Sequence, residues 1–265
     1  MAQYNAVSAS RHRDKTWHKV TGSGVTTEER TAPLIAREFS RAAITFPIAW
    51  VANNAQFDPV GLLGLVESEN LFVDSRGRWV GAYCPVHIRT QPFRLLSTQD
   101  DQLTLGVRED LGLVTDDRSG YPFFNTEEEL SAELQAMVEW LHEIEGNRAA
   151  TQRASQALDE ADLLIPWNIS PTVYGEPKKL DGLYRVSQER LNKLDAHTLL
   201  HLKDTGALAM AYCQKISEQL IRRLETLHER RANGRVHRSS HPLDKYQFGM
   251  DFEGPEGSIS FGGIA

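Results

Sequence analysis

The sequence predicts an α+β fold, in which an antiparallel β-meander in the N-terminal half packs against helices of the C-terminal half. Strand-forming residues are densest at 62–96, where turn residues separate short apolar runs. Two later stretches, 130–144 and 207–231, instead carry apolar residues at helical spacing. Strands that precede helices in this way are typical of α+β proteins.

The strands of the first half are short. They are predicted at 34–36, 48–51 and 60–66, with a helical turn or two at 38–44. A hairpin is predicted from 71–73 and 79–84, and Gly77 takes positive φ in the tight turn between them.

Two prolines divide the meander. Pro85 and Pro92 cannot donate to a ladder, so pairing should stop at Pro85 and resume after Pro92. A second hairpin is then expected from 94–98 and 103–108.

Capping signals define the helices of the second half. Thr126 and Glu129 have the pattern of a capping box, and Gly146 is expected to interrupt the helix that follows. The apolar face of this helix consists of Leu130, Leu134, Met137, Val138, Leu141 and Ile144. After a strand at 183–186, Ser187 and Asp195 are the predicted N-caps of two short helices, and Gly206 ends the second.

Composition indicates an ordinary globular protein. The chain has 265 residues, enough for one large domain or two small ones, and 40% of them are hydrophobic. Its 29 basic and 36 acidic residues give a net charge of −7, which disfavours nucleic acid as a partner. Cys84 and Cys213 are the two cysteines, and we expect both to be free thiols in a reducing compartment.

Targeting signals are not evident. The first 17 residues lack the apolar core of a secretory signal, and no run of 18 apolar residues could form a transmembrane helix. We therefore expect a cytoplasmic protein without a transmembrane segment.

We expect three segments along the chain. Residues 1–30 form a polar arm over the surface, residues 31–235 form a single α+β domain, and residues 236–265 form a tail. Apolar residues that alternate with polar or small ones in the tail are Tyr246, Phe248, Met250 and Phe252. Such alternation predicts short strands docked on a sheet edge, of this chain or of a protein partner.

A polar cluster inside the meander is the candidate binding site. Its residues are Glu69, Asn70, Trp79, Tyr83, His87 and Arg89. One interpretation is structural: Glu69 pairs with Arg89 and fixes the corner between the hairpins. The other is a ligand pocket, with Trp79 and Tyr83 as walls and Arg89 facing an anionic or polar group.

No motif specifies a reaction. A Gly-x-Ser-x-Gly elbow, a P-loop and a dinucleotide fingerprint are all missing, so we assign no catalytic residue and no cofactor. Cys84 precedes His87 by three residues, but a buried strand cysteine is favoured over a nucleophile.

Two histidine pairs and an arginine run are further candidate sites. His197 and His201 have the spacing of a zinc pair, but Thr198 occupies the position of the zincin glutamate, so no metal is expected. His237 and His241 repeat the spacing in a Ser/Arg-rich stretch. The arginine run fits an anionic membrane surface or acidic partner, or simply a solvated helix end; it consists of Arg222, Arg223, Arg230, Arg231, Arg235 and Arg238.

Six sequence blocks occur in order along most of the chain. They are FPIAW (46–50), LLGL (62–65), ENLFVDSRGRW (69–79), YCPVHIRTQPF (83–93), DGLYRVSQERLNKL (181–194) and TGALAMAYCQKIS (205–217). In these blocks the chain resembles the SapC family of bacterial proteins. That family takes its name from a gene cluster for surface-layer protein secretion, and its members are associated with loci for outer-membrane receptors and carbohydrate uptake. The resemblance implies no catalytic residues.

Two functional interpretations follow. The first is a cytoplasmic accessory or binding protein for envelope transport, surface-layer secretion or receptor-mediated nutrient uptake, with a protein or a small polar ligand as its partner. The second is an enzyme that acts on a small polar substrate, glycan-like or peptide-like, in a pocket near Trp79, Tyr83 and Arg89. A convergent acid and base near Arg89 would favour the enzyme.

Overall fold

A five-stranded antiparallel sheet lies at the centre of the fold. The computed structural model describes residues 4–20, 29–54, 56–97 and 102–233. The strands are β1 (Asn5–Ala6), β2 (Thr16–Trp17), β3 (Thr31–Pro33), β4 (Ile48–Asn53), β5 (Gln56–Leu62), β6 (Phe93–Ser97), β7 (Leu103–Val107), β8 (Val114–Thr115), β9 (Tyr121–Pro122), β10 (Leu164–Pro166), β11 (Thr172–Val173), β12 (Glu176–Pro177) and β13 (Leu183–Val186). The helices are α1 (Ala9–His12), α2 (Phe39–Ala42), α3 (Val86–Arg89), α4 (Ala132–Glu160), α5 (Gln188–Leu191), α6 (Ala196–Asp204), α7 (Ala207–Ser217) and α8 (Ile221–Ala232).

The strands form four antiparallel groups. The central sheet has the order β10-β13-β4-β5-β3. Two three-stranded sheets have the orders β1-β7-β6 and β8-β2-β9, and β11 pairs with β12 as a hairpin. β4 and β5 are neighbours in sequence and pair from Ile48–Gly61 to Asn53–Gln56, which makes this hairpin the longest ladder of the central sheet.

Helix α7 completes the central sheet where two strands diverge. β13 and β4 pair only through Leu183–Val51 and Tyr184–Trp50. Beyond this point the side chain of Gln214 accepts from the Val186 backbone N–H at 3.2 Å and donates to the Ile48 carbonyl at 3.4 Å. Because buried backbone groups must find partners, this buried glutamine replaces the ladder that the strands no longer form.

One long helix contributes to both hydrophobic cores. α4 has 29 residues and is about 43 Å long. Its first half packs into a core with β6, β7 and β2, and its second half packs into the larger core around the central sheet. Its buried residues are Leu134, Met137, Leu141, Ile144, Thr151, Ala154, Ser155, Ala157 and Leu158. From Leu134 to Ile144 they are three or four residues apart, and the stripe resumes two turns later at Thr151, so one side of a continuous helix serves both cores.

Several local predictions are confirmed along with the α+β class. The strand at 183–186 is β13, and the predicted second hairpin is β6 with β7. Ser187 and Asp195 cap α5 and α6, accepting from the N–H groups of Arg190 and Thr198. Gly206 ends α6 with φ +79°.

The hairpin predicted at 71–84 is wrong in its return strand. Only Val73 and Trp79 form a bridge, and residues 80–85 form no strand. Asp74 explains the difference, because its carboxylate accepts from the backbone of Arg76 and of Arg78 and from the Arg78 guanidinium. Side-chain bonds therefore stabilise this loop in place of a ladder. Gly77 does take positive φ, at +73°.

The predicted start of the long helix is also wrong. The side chain of Asn125 accepts from the N–H groups of Glu127 and Glu129. Residues 125–129, predicted to contain the Thr126 capping box, therefore form a turn. Ser131 is the N-cap and accepts from Leu134 N–H at 3.2 Å. Gly146 does not interrupt the helix.

Two further boundaries differ from the expectation. The strand predicted at 34–36 lies at Thr31–Pro33, where it pairs with β5. The helix predicted at 207–231 is divided into α7 and α8 by a 3₁₀ turn, Glu218–Leu220.

The N-terminal residues do more than lie over the surface. β1 and β2 pair with other strands, and Trp17 and His12 are both fully buried. The carboxylate of Glu109 accepts hydrogen bonds from Arg11 Nε at 2.6 Å and from Lys15 Nζ at 3.0 Å. Burial of Trp17 and these ion pairs oppose the expectation of a surface arm. The predicted tail, 236–265, lies outside the described residues, as do His237, His241, Arg235 and Arg238.

None of the helices in the described part of the chain is long and apolar enough to cross a membrane. The long helix α4 carries charged residues throughout its length.

The Glu109 ion pairs predict an acid-dependent loss of stability. The Arg11 hydrogen bond, then that of Lys15, lowers the pKa of Glu109 from 4.5 to about 2. A carboxylate with a lowered folded-state pKa stabilises the protein above pH 4.5, and this contribution is lost as the pH falls through about 2. In urea unfolding, we expect Glu109→Gln to lower the free energy of unfolding by about 1 kcal/mol at neutral pH. This loss should shrink progressively as the pH falls from 4.5 to about 2.

Glu139→Gln, on the exposed surface of α4, is the matched control and should show no such pH-dependent difference. If Glu109→Gln lowers the free energy of unfolding as much at pH 2 as at pH 7, the Glu109 ion pairs are not the source of the loss.

Candidate functional site

The six predicted site residues make their contacts in two different places. One group, the Glu38 cluster, consists of Glu38, Tyr83, His87 and Arg89. The other, the α8 cluster, consists of Glu69, Asn70, Trp79, His228 and Arg231. Glu38, His228 and Arg231 join the residues that the sequence singled out.

Glu38 is a buried carboxylate whose oxygens are occupied. It ends the 3₁₀ turn Ala36–Glu38 and is 3% exposed. One oxygen accepts from Ile35 N–H at 2.9 Å; the other accepts from Val86 N–H at 2.6 Å and the Tyr83 hydroxyl at 2.7 Å. Burial raises the pKa of Glu38, and these three donors oppose the rise. The carboxylate therefore holds the 3₁₀ turn against the start of α3.

Arg89 lies between two aromatic rings. Its guanidinium carbon is 5.7 Å from the centre of the Tyr83 ring and 5.2 Å from that of Trp140. Its positive charge acts on the carboxylate of Glu38 and lowers the pKa of that group against the effect of burial. The expected Glu69–Arg89 pair is thus a wrong assignment, because the carboxylate close to Arg89 is Glu38 and its direct contacts are cation–π contacts.

Cys84 does not have the properties of a nucleophile. It is 7% exposed, and burial raises the pKa of its thiol to about 12, although the nearby Arg89 opposes the shift. At neutral pH almost none of it is thiolate. His87 lies 3.6 Å from the carboxylate of Glu29.

A narrow cleft opens beside Glu38. Its apolar walls include Ile35, Val86, Leu141 and Ile144. Its polar lining includes Tyr4, Glu38, His87, Arg94, Glu145 and Arg148. The free space within it is about 30 Å³, room for about two waters or one small polar group.

Helix α4 supplies the charged side of the cleft. Arg148 stands between Ile144 and Thr151 on the buried stripe of the helix, and its Nε donates to both carboxylate oxygens of Glu145 at 3.2 Å. Thr151, on the same stripe, accepts from the Ala36 N–H at 2.7 Å. α4 thus holds the turn that carries Glu38 and lines the cleft next to it.

The α8 cluster contains a buried carboxylate–imidazole pair. Glu69 is 8% exposed and His228 is 1% exposed. The Nδ1 atom of His228 lies 2.9 Å and 3.2 Å from the two oxygens of Glu69, and one of these oxygens also accepts from Leu65 N–H. Because a carboxylate only accepts, Nδ1 carries the hydrogen.

Arg231 fastens α8 to the loop that contains the remaining predicted residues. Its guanidinium donates to the carbonyl of Asn70 at 2.9 Å and to that of Val73. The Asn70 side chain accepts from Phe72 N–H at 3.0 Å. Trp79 stacks on the Phe72 ring at 5.5 Å, so it packs within this loop.

The other residues that the sequence raised do not assemble a site. His197 and His201 occupy exposed positions of α6. Within the described ranges there is no group of three or more metal-ligand side chains. Of the arginine run, Arg223 lies 6.0 Å from the Phe72 ring and Arg231 binds carbonyl groups, so both have structural contacts.

Sequence reasoning missed Glu38, Arg148 and His228. Each carried a signal in the sequence. Glu38 is the one acid in the stretch 34–50, and Arg148 interrupts the helical stripe. His228 follows the apolar face of the last helix at Leu224, which also indicates burial.

The Glu38 contacts predict a large loss of stability on truncation. Glu38→Ala leaves two backbone N–H groups and the Tyr83 hydroxyl without their acceptor, so we expect a cost of about 3 kcal/mol in urea unfolding. Tyr83→Phe removes one of these bonds and should cost about 1 kcal/mol. Glu139 is exposed, so Glu139→Ala should change the free energy of unfolding little. Equal losses in the two glutamate variants would refute the role of Glu38 in holding α3 to the 3₁₀ turn.

The two thiols should differ in reactivity. Cys84 is buried, whereas Cys213 is only partly buried. With Ellman's reagent near pH 8 we expect Cys84 to react at least about tenfold more slowly than Cys213, and both to react in denaturant. A Cys213→Ser variant isolates the slow thiol. Fast reaction of Cys84 in the native Cys213→Ser variant would contradict this prediction. Fewer than two reactive thiols in the unfolded wild-type protein would contradict it as well.

Comparison with known protein families matches residues 7–224 to the family described as SapC. No curated protein and no solved structure matches the chain. The match covers both clusters except for His228 and Arg231, and it confirms the resemblance drawn from the six sequence blocks. The chain belongs to the SapC family.

Proposed function

We propose that this chain is an accessory protein that binds a small polar ligand, or the polar end of a larger molecule, in the cleft beside Glu38. The family membership supports a role in envelope transport, surface-layer secretion or receptor-mediated nutrient uptake, and we propose that the protein performs it in the cytoplasm. The ligand is a molecule with a negatively charged or strongly polar end.

The cleft is also lined by the carboxylates of Glu38 and Glu145, which already accept hydrogen bonds, and its cationic side chains carry this proposal. His87, Arg94 and Arg148 reach it from α3, β6 and α4, next to the apolar side chains of Ile35 and Leu141. Guanidinium groups beside an apolar wall suit a carboxylate or phosphate attached to a less polar body. The small volume of the cleft suits one such group.

Binding is favoured over catalysis in this cleft. The carboxylate of Glu38 already accepts from three donors, which leaves at most one lone pair for a proton from a substrate. Cys84, the nearest thiol candidate, is held in its protonated form by burial. These two observations support a binding protein over the enzyme that acts on a glycan-like or peptide-like substrate.

Calorimetric titration with acetate, N-acetylglucosamine and dialanine tests the proposal. We expect the two carboxylate-bearing probes to bind and the neutral sugar not to bind, because only the carboxylates can bind the guanidinium groups of the cleft. Arg94→Ala and Arg148→Ala should each weaken binding about tenfold, the loss of roughly one charge-assisted hydrogen bond.

Arg153→Ala is the matched control, since Arg153 is an exposed arginine of α4 that does not line the cleft. Absence of binding by both carboxylate probes, or an equal loss in Arg153→Ala, would refute a cleft that recognises anionic groups.

A further inference from the structure

The Nε2 atom of His228 is a buried polar atom with no partner among the described residues. The residue is 1% exposed, so water does not satisfy this atom at the surface. Eight buried side-chain polar atoms lack a partner among the described residues, and His228 Nε2 is the imidazole nitrogen among them. Buried polar atoms are usually paired, and a ligand is one explanation for an exception. The Glu38 cleft does not include His228, so the atom belongs to a different place in the molecule.

The contacts of His228 engage Nδ1 and leave Nε2 as the unpaired ring nitrogen. Glu69 holds the hydrogen at Nδ1, and Leu65 N–H holds Glu69 in turn, which fixes the ring orientation. A neutral ring with the hydrogen on Nδ1 presents Nε2 as an acceptor.

Tyr174 covers this imidazole from the solvent side. The two ring centres are 4.5 Å apart at an interplanar angle of 66°, and Tyr174 is 70% exposed. Tyr174 and Gly175 form the tip of the β11–β12 hairpin with φ of +52° and +86°. A left-handed conformation is strained for a bulky residue such as tyrosine and suits glycine, so the tip holds an unfavourable residue over the histidine.

The base of the same hairpin is fixed. Glu225 of α8 accepts from the Thr172 N–H at 2.7 Å, at the first residue of β11. A fixed base and an exposed, strained tip allow the Tyr174 ring to leave His228 without separating the hairpin from α8.

We propose that His228, oriented by Glu69, is the acceptor of a second binding site that Tyr174 closes, and that this site takes a hydroxyl group of a ligand. The hydroxyl donates to Nε2 when the Tyr174 ring moves aside. This site is independent of the cleft beside Glu38, since it uses a different carboxylate and a different helix.

Modification of histidines by diethyl pyrocarbonate, measured for each residue by mass spectrometry, tests the closure. In the wild-type protein His228 should react at least about tenfold more slowly than His197 and His201, which are exposed on α6. Tyr174→Gly removes the ring at a position that suits glycine and should raise the rate at His228 about tenfold. Tyr174→Phe keeps the ring and should leave the rate unchanged.

Two internal controls separate closure from unfolding. His12 is fully buried against Phe123 of the other core and should stay protected in every variant. Tyr212→Ala, which removes another half-exposed tyrosine, should not affect His228. Rapid modification of His228 in the wild type, an unchanged rate in Tyr174→Gly, or simultaneous exposure of His12 would each overturn the role of Tyr174.

Long-range ¹H–¹⁵N spectra of Tyr174→Gly test the acceptor. We expect the His228 ring to be the neutral form with its hydrogen on Nδ1, and its Nε2 resonance to shift with glycerol, a hydroxyl donor, and not with dimethyl sulfoxide, which only accepts. A doubly protonated ring would overturn the proposal, and so would an Nε2 resonance that responds equally to both solutes.

Discussion

The continuous stripe along α4 is the constraint on which the rest of the structure depends. One unbroken helix gives its first buried residues to the core of β6 and β7 and its last ones to the core of the central sheet. Because a helix of about 43 Å bends little, the positions of the two cores are coupled through it. Between Ile144 and Thr151 the stripe carries Arg148, and this is where the cleft opens. The apolar wall of the cleft, which includes Ile35, Val86, Leu141 and Ile144, belongs to the core of β6 and β7.

Local patterns predicted much of the fold. Ser187 and Asp195 were found as caps and Gly206 as a helix end because each of these signals depends on neighbours within four residues. The same reasoning chose Thr126 wrongly, since Asn125 takes the Glu129 N–H that the Thr126 capping box needs. Two local motifs competed there, and the sequence alone does not rank them.

The candidate site was harder to predict because its contacts are distant in sequence. Glu69 belongs to the polar cluster that the sequence singled out, and it is buried. Its partner His228 is 159 residues away, however, and Tyr83 is 45 residues from Glu38. Periodicity reports which side of an element is buried, but it carries no information on which buried group faces another. The Glu69–Arg89 pair was assigned by proximity in the chain, and the fold places each residue beside another partner.

The two buried carboxylates differ in what they leave unoccupied. Glu38 accepts from three donors and holds α3 to the 3₁₀ turn. In the proposed cleft, a ligand would instead be bound by the lining arginines, Arg94 and Arg148. Glu69 accepts from one backbone N–H and one imidazole, and the imidazole has a second nitrogen. The carboxylate of Glu69 is therefore paired, and the atom left without a partner is Nε2 of His228, on α8. A buried acid of the first kind stabilises a site, whereas one of the second kind prepares a neighbouring group for a ligand.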